Sequence, residues 1–238
     1  VIRLALPDGH QQKHVIGLFE KTGIGLSGYD PGAPETRPEI DIGGISVTVI
    51  RPQDMPTQVA VGNFDIAFTG VDWLFDHKAK FPKSPVEGIL DLGVGRVRVV
   101  AVVREEVPAD NLEQVKGLIT DGYFPRLFFR LASEYINIAD HFAMKNRIEN
   151  YRVIPTYGAT EALLPEDADM IIENTETGTT LKKNKLKIVE ELFVSVGCII
   201  GRTGILKEKD PALTRLLGEF SKIEGVERHR GIKLMSGN

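Results

Sequence analysis

The stretch ENTETGTTLKKN, residues 173–184, holds four threonines, two glutamates, a glycine and a pair of lysines behind the apolar run MII of residues 170–172. An apolar run of that kind reads as a strand, and the residues from Thr179 to Asn184 read as the start of a helix. Hydroxyls are therefore collected between a strand end and a helix N-terminus. There the first backbone N–H groups lack intrahelical partners and the helix dipole favours an anion. Gly178 lets the backbone come close to a ligand. Thr175, Thr177, Thr179 and Thr180 add hydroxyl donors, and Lys182 and Lys183 screen negative charge. The carboxylates of Glu173 and Glu176 oppose a bare phosphate. They suit a ligand that also carries a sugar and a metal, because a carboxylate accepts hydrogen bonds from ribose hydroxyls and holds Mg²⁺ directly or through water. The competing reading is a threonine-rich turn that caps a helix. A strand before, a helix after and acids in front favour phosphate plus ribose.

Such a loop needs a scaffold. The chain has 238 residues, 42% of them hydrophobic and 26% charged, enough for one large domain or two small lobes with a true core. A net charge of −4 argues against a protein that coats nucleic acid, so an anion site has to be local. The single cysteine, Cys198, sits in the apolar run SVGCIIG and reads as a buried strand residue, with no disulfide available within the chain. No apolar run is long enough to span a membrane and no signal peptide is evident, so the expectation is a cytoplasmic protein with neither membrane nor nucleic-acid partners. Because the first residue is Val1 rather than methionine, a trimmed start is expected.

Short apolar runs alternate with helical patterns along the chain. Residues 1–6 read as a buried strand and residues 11–23 as a helix ending at Gly23. The Pro- and Gly-rich residues 28–44 read as a loop or ragged hairpin. ISVTVI is a strand, QDMPTQVAVG a short helix ending near Gly62, and FDIAFTG a strand with its glycine at the carboxyl end. RVRVVAVV, VKGLIT and NYRVIPT read as strands, and RLFFRLASEYINIADHFAMKN, residues 126–146, as helix. ADMII and KIVEELFVSVGCIIG supply the last strands, ALTRLLGEFSKI the last helix. This rhythm predicts an α/β fold with largely parallel sheets and no internal repeat. Residues 96–104 and 193–202 read as strands that leave and re-enter the first half. The expected division is residues 1–103 plus 193–238 as one lobe and 104–192 as a lobe inserted into it, with a ligand cleft between them near the carboxyl ends of strands.

The segments IRLALPDG, RPQDMP, VGNFDIAFTGVDWL, LDLGVGRVRVV, YGATEAL, ADMIIENTETGTTLKKNKLKIVEELF and CIIGRTGILK, in that order, resemble ATP phosphoribosyltransferase, the first enzyme of histidine biosynthesis. The resemblance covers most of the chain, and its most specific part is the long run around residue 173. It implies two α/β lobes of the type II periplasmic-binding-protein kind. It also implies transfer of the 5-phosphoribosyl group from phosphoribosyl pyrophosphate to N1 of ATP, with Mg²⁺ assisting the departure of pyrophosphate; the metal ligands are not indicated. Glu173 stands where the family has an acid facing the ribose, and with Arg96 it is the implied catalytic pair. Thr175, Glu176, Thr177, Gly178, Thr179 and Thr180 stand in the sugar-phosphate loop, and Gly158, Ala159, Thr160 and Glu161 in a second turn. On the first lobe Arg51, Asp54, Gly70 and Asp72 match binding positions. Read alone, Asp54 and Asp72 are equally helix caps, and Arg51 and Arg96 solvated strand-end charges. Self-association into a homo-oligomer is also implied, as is a partner related to histidyl-tRNA synthetase if the chain is the short form that lacks a regulatory domain.

The first loop departs from the family's Pro-Lys-Gly-Arg-Leu. It reads PDGHQ, with Asp8 in the lysine place and His10 in the arginine place, both still expected at the polyphosphate, where Lys13 or His14 one turn along would compensate for the lost cations. TDGYFPRLFF likewise departs from the family's Thr-x-Tyr-Pro. Two further functions fit the residues: a two-lobed protein that captures a small anion without catalysis, and a phosphoribosyltransferase with another acceptor.

Overall fold

The structure is a computed structural model that describes residues 1–32, 34–124, 127–158 and 160–231. The chain runs β1 Ile2–Pro7, α1 His10–Thr22, β2 Leu26–Ser27, β3 Glu39–Ile40, β4 Ile45–Ile50, α2 Met55–Ala60, β5 Ile66–Gly70, α3 Val71–Lys80 and β6 Val86–Asp91. It continues through β7 Val97–Arg104, α4 Leu112–Thr120, β8 Phe129–Ser133, α5 Ile136–Lys145, β9 Tyr151–Pro155, β10 Met170–Thr175, α6 Thr179–Lys183 and β11 Leu186–Ser195, and ends with β12 Gly197–Arg202, α7 Pro211–Phe220 and β13 Glu227–Arg228. Contacts divide it into lobe I, Val1–Arg96 with Val196–Gly231, and lobe II, Val97–Ser195. The second lobe is inserted into the first, with the hand-over at Arg96/Val97 and Ser195/Val196 instead of the expected 103/104 and 192/193. β7 lies wholly in the second sheet because both its edges are paired there, with β10 and β11.

Each lobe is built on one sheet, in the order β13-β6-β12-β5-β1-β4 in lobe I and β11-β7-β10-β8-β9 in lobe II. The sheets are mixed rather than largely parallel. β5-β1-β4 and β10-β8-β9 are parallel triplets, whereas β12 and β7 pair antiparallel with β5 and β10. The stretch 193–202, read as one strand, is divided at Val196 between β11 and β12, one in each sheet. In lobe I the helix α1 buries Val15, Leu18 and Phe19, and the Phe19, Phe68 and Phe220 rings meet at centroid distances of 5.0–5.8 Å. In lobe II Val100, Val102, Ala132, Ile171 and Leu181 form a core of buried side chains. Burying aliphatic groups of that size contributes roughly 1.5–3 kcal/mol each.

Two further segments differ from the sequence expectation. VKGLIT belongs to helix α4, because Leu112, Val115, Leu118 and Ile119 recur at helical spacing once the preceding residues are included, and the Asn111 side chain caps the helix by accepting from Gln114 N–H at 3.0 Å. The stretch 126–146 is not one helix. Phe129–Ser133 is a central strand flanked by β10 and β9, followed by α5. Helical propensity yields there to a tertiary clamp on Arg130.

That clamp occurs in both lobes in the same register. Asp65 stands just before β5 and Asp169 just before β10. Asp65 N–H donates to Arg3 C=O, and Asp169 N–H to Arg130 C=O, each at 2.9 Å. The arginine N–H returns the bond to the carboxylate at 2.9 Å and 2.8 Å respectively, and each guanidinium adds two more. Asp65 also accepts from Arg202 Nε at 3.3 Å, while Arg130 reaches the carbonyls of Pro165 and Glu166 at 3.0 Å and 2.6 Å. Burial would raise the Asp65 carboxyl, but the hydrogen bonds from Arg3 and Arg202 outweigh it and hold the group below its ordinary value.

Asp169 is 7% and Arg130 15% exposed in their side chains, so this is a buried bidentate pair. Removing the carboxylate leaves Arg130 with only the Pro165 and Glu166 carbonyls, at a cost of about 1.5–3 kcal/mol. Asp169→Asn is therefore expected to lower the urea midpoint substantially, more than Lys222→Gln, which breaks only the exposed Lys222–Glu219 pair. Equal midpoints for the two variants would show that the clamp does not secure the strand.

Candidate functional site

The carboxyl ends of the parallel strands in lobe II bring three turns to one sheet edge. The first, after β8, is Ser133-Glu134-Tyr135. Ser133 Oγ donates to Ile172 C=O at 2.7 Å and accepts from Tyr135 N–H at 2.9 Å, which ties β8 to β10. The second, after β9, carries Gly158, Thr160 and Glu161, with Gly158 at φ 108°; Ala159 lies outside the described residues. The third is the end of β10 and the loop behind it. The strand extends to Thr175, so Glu173 is a strand residue and the loop is reduced to residues 176–178.

Glu173 is the centre of this edge. Its Oε1 accepts from Asn174 N–H at 2.9 Å, and Thr160 lies close enough to lower the carboxyl. Asn174 is itself held by its side-chain amide, which donates to Tyr135 Oη at 2.9 Å. Burial is the largest influence and pushes the Glu173 carboxyl up, while the bond from Asn174 and the nearby Thr160 pull it down and the charges of Glu134 and Glu161 push it up again. The balance is a carboxyl raised from 4.5 to about 7.

The hydroxyl loop beside it is preorganised. Gly178 adopts φ 77°, the left-handed conformation that disfavours any β-carbon, and its N–H donates to Thr175 Oγ1 at 3.0 Å. The Thr177 and Thr179 hydroxyls lie 2.8 Å apart, and Thr177, Thr179 and Thr180 are exposed, as is Glu176. Lys182 and Lys183 are exposed on α6. The cation beside the loop is one the sequence reading missed. Arg98 on β7 places Nη2 3.9 Å from where a Gly178 β-carbon would stand, and Nη1 is paired with Glu191 at 3.1 Å. Within RVRVV nothing distinguishes Arg98 from Arg96. Only the antiparallel register, which sets Thr175 opposite Arg98, brings that guanidinium here. Ser133-Glu134-Tyr135 was missed for a different reason: it lay inside a segment read as continuous helix.

In lobe I the corresponding edge carries the other assigned residues, but they do not converge as closely. Asp8, Gly9, His10, Lys13, Gly32 and Thr36 line a cavity of about 610 Å³ at the end of β1. Asp8 N–H donates to Ile50 C=O at 3.2 Å, and His10 and Lys13 are exposed. The far wall of the cavity is pinned by Gln12, whose amide donates to Asp30 C=O at 2.7 Å and accepts from Gly32 N–H at 3.0 Å. Arg51 and Asp54 follow β4, both exposed, and Asp54 makes no side-chain cap to α2. A β-carbon on Gly70 would stand 2.0 Å from Asp72 Oδ1, so any other residue here displaces the Asp72 carboxylate. The Asp72 carboxylate is buried and accepts from Trp73 N–H at 3.0 Å, turned back over Gly70. Arg96 is exposed at the end of the lobe I segment, and His14 packs beside Gly95, 3.5 Å from where a β-carbon there would stand. None of Arg51, Asp54, Gly70, Asp72 and Arg96 lines the cavity.

Chemically, lobe II offers exposed hydroxyls and a guanidinium suited to a phosphate, beside a carboxyl able to accept from sugar hydroxyls. Among the described residues no helix is long and apolar enough to cross a membrane, and no group of three or more His, Cys, Asp or Glu side chains is arranged to hold a metal ion.

The family model HisG, ATP phosphoribosyltransferase, matches residues 51–222. The ATP phosphoribosyltransferase of Prosthecochloris aestuarii is 32% identical over 195 residues, which cover 82% of this chain and 61% of that protein. The chain thus spans about three-fifths of the length of the curated relatives it matches. Among solved structures, the ATP phosphoribosyl transferase (HisG:HisZ) complex from Thermotoga maritima superposes with a TM-score of 0.73 at 22% identity, covering 93% of this chain and 98% of that one. The periplasmic aliphatic sulphonate binding protein SsuA from Escherichia coli gives 0.51 at 13% identity, covering 93% and 67%. The fold is accordingly α/β with two lobes of the type II periplasmic-binding-protein kind.

A carboxyl raised in the folded state holds a proton that the unfolded chain has already released. Glu173 therefore contributes stability that is present below its ordinary value of 4.5 and is lost as pH rises through about 7. Glu173→Gln is expected to gain stability on wild type at pH 8 and not at pH 4. The same pH dependence of urea midpoints in both proteins would contradict the half-buried, raised carboxyl.

Proposed function

The chain belongs to the ATP phosphoribosyltransferase family, and from that premise we propose that it transfers the 5-phosphoribosyl group of phosphoribosyl pyrophosphate to N1 of ATP, releasing pyrophosphate in the first step of histidine biosynthesis. The observation that carries this reading is the juxtaposition of Glu173 with the left-handed Gly178 loop and Arg98. The 5-phosphate meets the Gly178 loop, the threonine hydroxyls and the Arg98 guanidinium, and the ribose hydroxyls donate to the Glu173 carboxylate. As pyrophosphate departs, positive charge develops at the anomeric carbon. The protein's part is to hold the sugar and the attacking ring nitrogen in line and to balance charge, with little covalent work. Glu134 and Glu161, acids whose charge reaches Glu173, would hold Mg²⁺ here, and it would neutralise leaving-group charge.

The acceptor nucleotide is assigned to lobe I, with Asp8, His10 and Lys13 at its polyphosphate and Arg51, Asp54, Gly70, Asp72 and Arg96 as further contacts. The Thermotoga maritima HisG:HisZ complex supports a regulatory partner related to histidyl-tRNA synthetase, and self-association into a homo-oligomer goes with the same reading. A biosynthetic reaction on ATP belongs in the cytoplasm. The likeness to periplasmic binding proteins is one of fold and carries no activity.

The direct test is to incubate the protein with ATP, phosphoribosyl pyrophosphate and Mg²⁺ and to follow product absorbance with and without a HisZ-type subunit. Arg98→Met removes a charge-assisted contact of about 1.5–3 kcal/mol, so affinity for phosphoribosyl pyrophosphate should fall about tenfold or more while affinity for ATP stays. Undiminished calorimetric affinity in that variant would remove Arg98 and the loop from the phosphate site.

Asp8 opposes a polyphosphate in the cavity at the end of β1, and a like-charge pair costs what the opposite pair contributes. Asp8→Lys is expected to tighten ATP binding and to lessen its dependence on Mg²⁺. A variant that binds ATP no better than wild type would place the polyphosphate away from this loop.

A further inference from the structure

Helix α1 buries Gln12, Val15, Leu18 and Phe19, and Gln12 is only 2% exposed. The last three belong to the core of lobe I, and the spacing puts position 12 on the same stripe, where an aliphatic side chain would serve the core. A buried amide there has to be hydrogen-bonded. Both its partners are backbone groups of an irregular segment, Asp30 C=O at 2.7 Å and Gly32 N–H at 3.0 Å. Asp30, Pro31 and Gly32 are exposed, so water would satisfy that carbonyl and that N–H if the segment stood further out. The ends of the segment are fastened without Gln12. Tyr29 Oη donates to Pro7 C=O, Glu35 N–H to Gly28 C=O at 2.7 Å, and Val49 N–H to Thr36 C=O at 2.9 Å. What Gln12 adds is the position of the middle, and the middle is a wall: Pro31 and Gly32 line the cavity at the end of β1 together with Asp8, His10 and Lys13.

We propose that Gln12 is a positioning residue: its buried amide sets the Pro31–Gly32 wall of this cavity and so pre-forms the site that takes the polyphosphate of the acceptor nucleotide. The identity of that ligand rests on the phosphoribosyl reading; the fixing of the wall does not. Holding a loop in its bound conformation raises affinity, because the cost of ordering it is removed from the binding step. The fold itself gains little from the amide, since an apolar side chain of the same size fills the same place in the stripe.

The experiment uses the whole protein with Gln12→Met, which keeps length and volume and removes both hydrogen bonds. The first readout is hydrogen exchange of the Gly32 amide in the ligand-free protein, followed by NMR. The second is calorimetric affinity for ATP with Mg²⁺ and, separately, for phosphoribosyl pyrophosphate. The third is the urea midpoint. The variant is expected to exchange the Gly32 amide about tenfold faster or more, to bind ATP about three- to tenfold more weakly, and to keep its affinity for phosphoribosyl pyrophosphate and a urea midpoint equal to or above that of wild type. A lower midpoint with both affinities reduced alike overturns the proposal, because that is the outcome of a merely structural role. Unchanged Gly32 exchange overturns it, and so does unchanged ATP affinity in a variant that has lost the protection. Gln12→Leu provides the same measurements should the methionine variant fail to fold, with the same outcomes decisive. A wild type that binds no ATP overturns the nucleotide reading instead, and Gly32 exchange then decides by itself whether Gln12 holds the wall.

Discussion

An aspartate held by an arginine of the neighbouring parallel strand secures the same point in each lobe, Asp65 by Arg3 and Asp169 by Arg130. The aspartate backbone joins the ladder to the arginine carbonyl while its side chain takes the arginine N–H and guanidinium, so one residue pair sets both the register and the start of the central strand. Because a one-residue slip would turn every side chain of a strand to the other face, pinning this point determines which residues reach the opposite edge. In lobe II it delivers Glu173 to that edge four residues later, and in lobe I it delivers Thr69 and Gly70.

From that shared start the lobes repeat one plan. A strand and helix, a second strand and a third strand with its helix appear as β1-α1, β4 and β5-α3 in lobe I, and as β8-α5, β9 and β10-α6 in lobe II. The turns that follow the three strands are the positions assigned to ligands in the proposed reading: PDGH, RPQD and the Gly70 turn in one lobe, SEY, the Gly158 turn and the Gly178 loop in the other. No repeat is visible in the sequence, since what the lobes share is a pairing geometry and a pattern of buried positions that many side chains satisfy. The chemistry of equivalent turns differs accordingly. At Gly70 the next aspartate is folded back and buried, whereas at Gly178 the threonines are left exposed beside a guanidinium.

Electrostatics at Glu173 is a contest that burial wins narrowly. Desolvation and two neighbouring acids oppose ionisation, the Asn174 hydrogen bond and the nearby Thr160 support it, and the outcome lies near neutrality. Asp65 shows the reverse outcome of the same contest, because two guanidinium groups bond its carboxylate. The contrast follows from what each aspartate or glutamate is paired with. A carboxylate that fastens a strand is matched by permanent cations, while one left with neutral donors retains capacity for a ligand.

The class of fold, the inserted lobe and the hydroxyl-rich turn around Gly178 were legible in the chain, because strand-to-helix switches, a glycine and clustered hydroxyls are local features. Periodicity failed where locality failed. The six residues VKGLIT look like a strand without Leu112 upstream, and RLFFRLASEYINIADHF looks like a helix unless Asp169, thirty-nine residues on from Arg130, is known to hold the strand. The choice of Arg98 over Arg96 beside Gly178 and the raised Glu173 carboxyl both arise from cross-strand register and burial. Sequence by itself determined which groups were available for phosphate and sugar. Only the tertiary structure decided which of them stand together, since distances between residues far apart in the chain are set by strand pairing and packing rather than by their order.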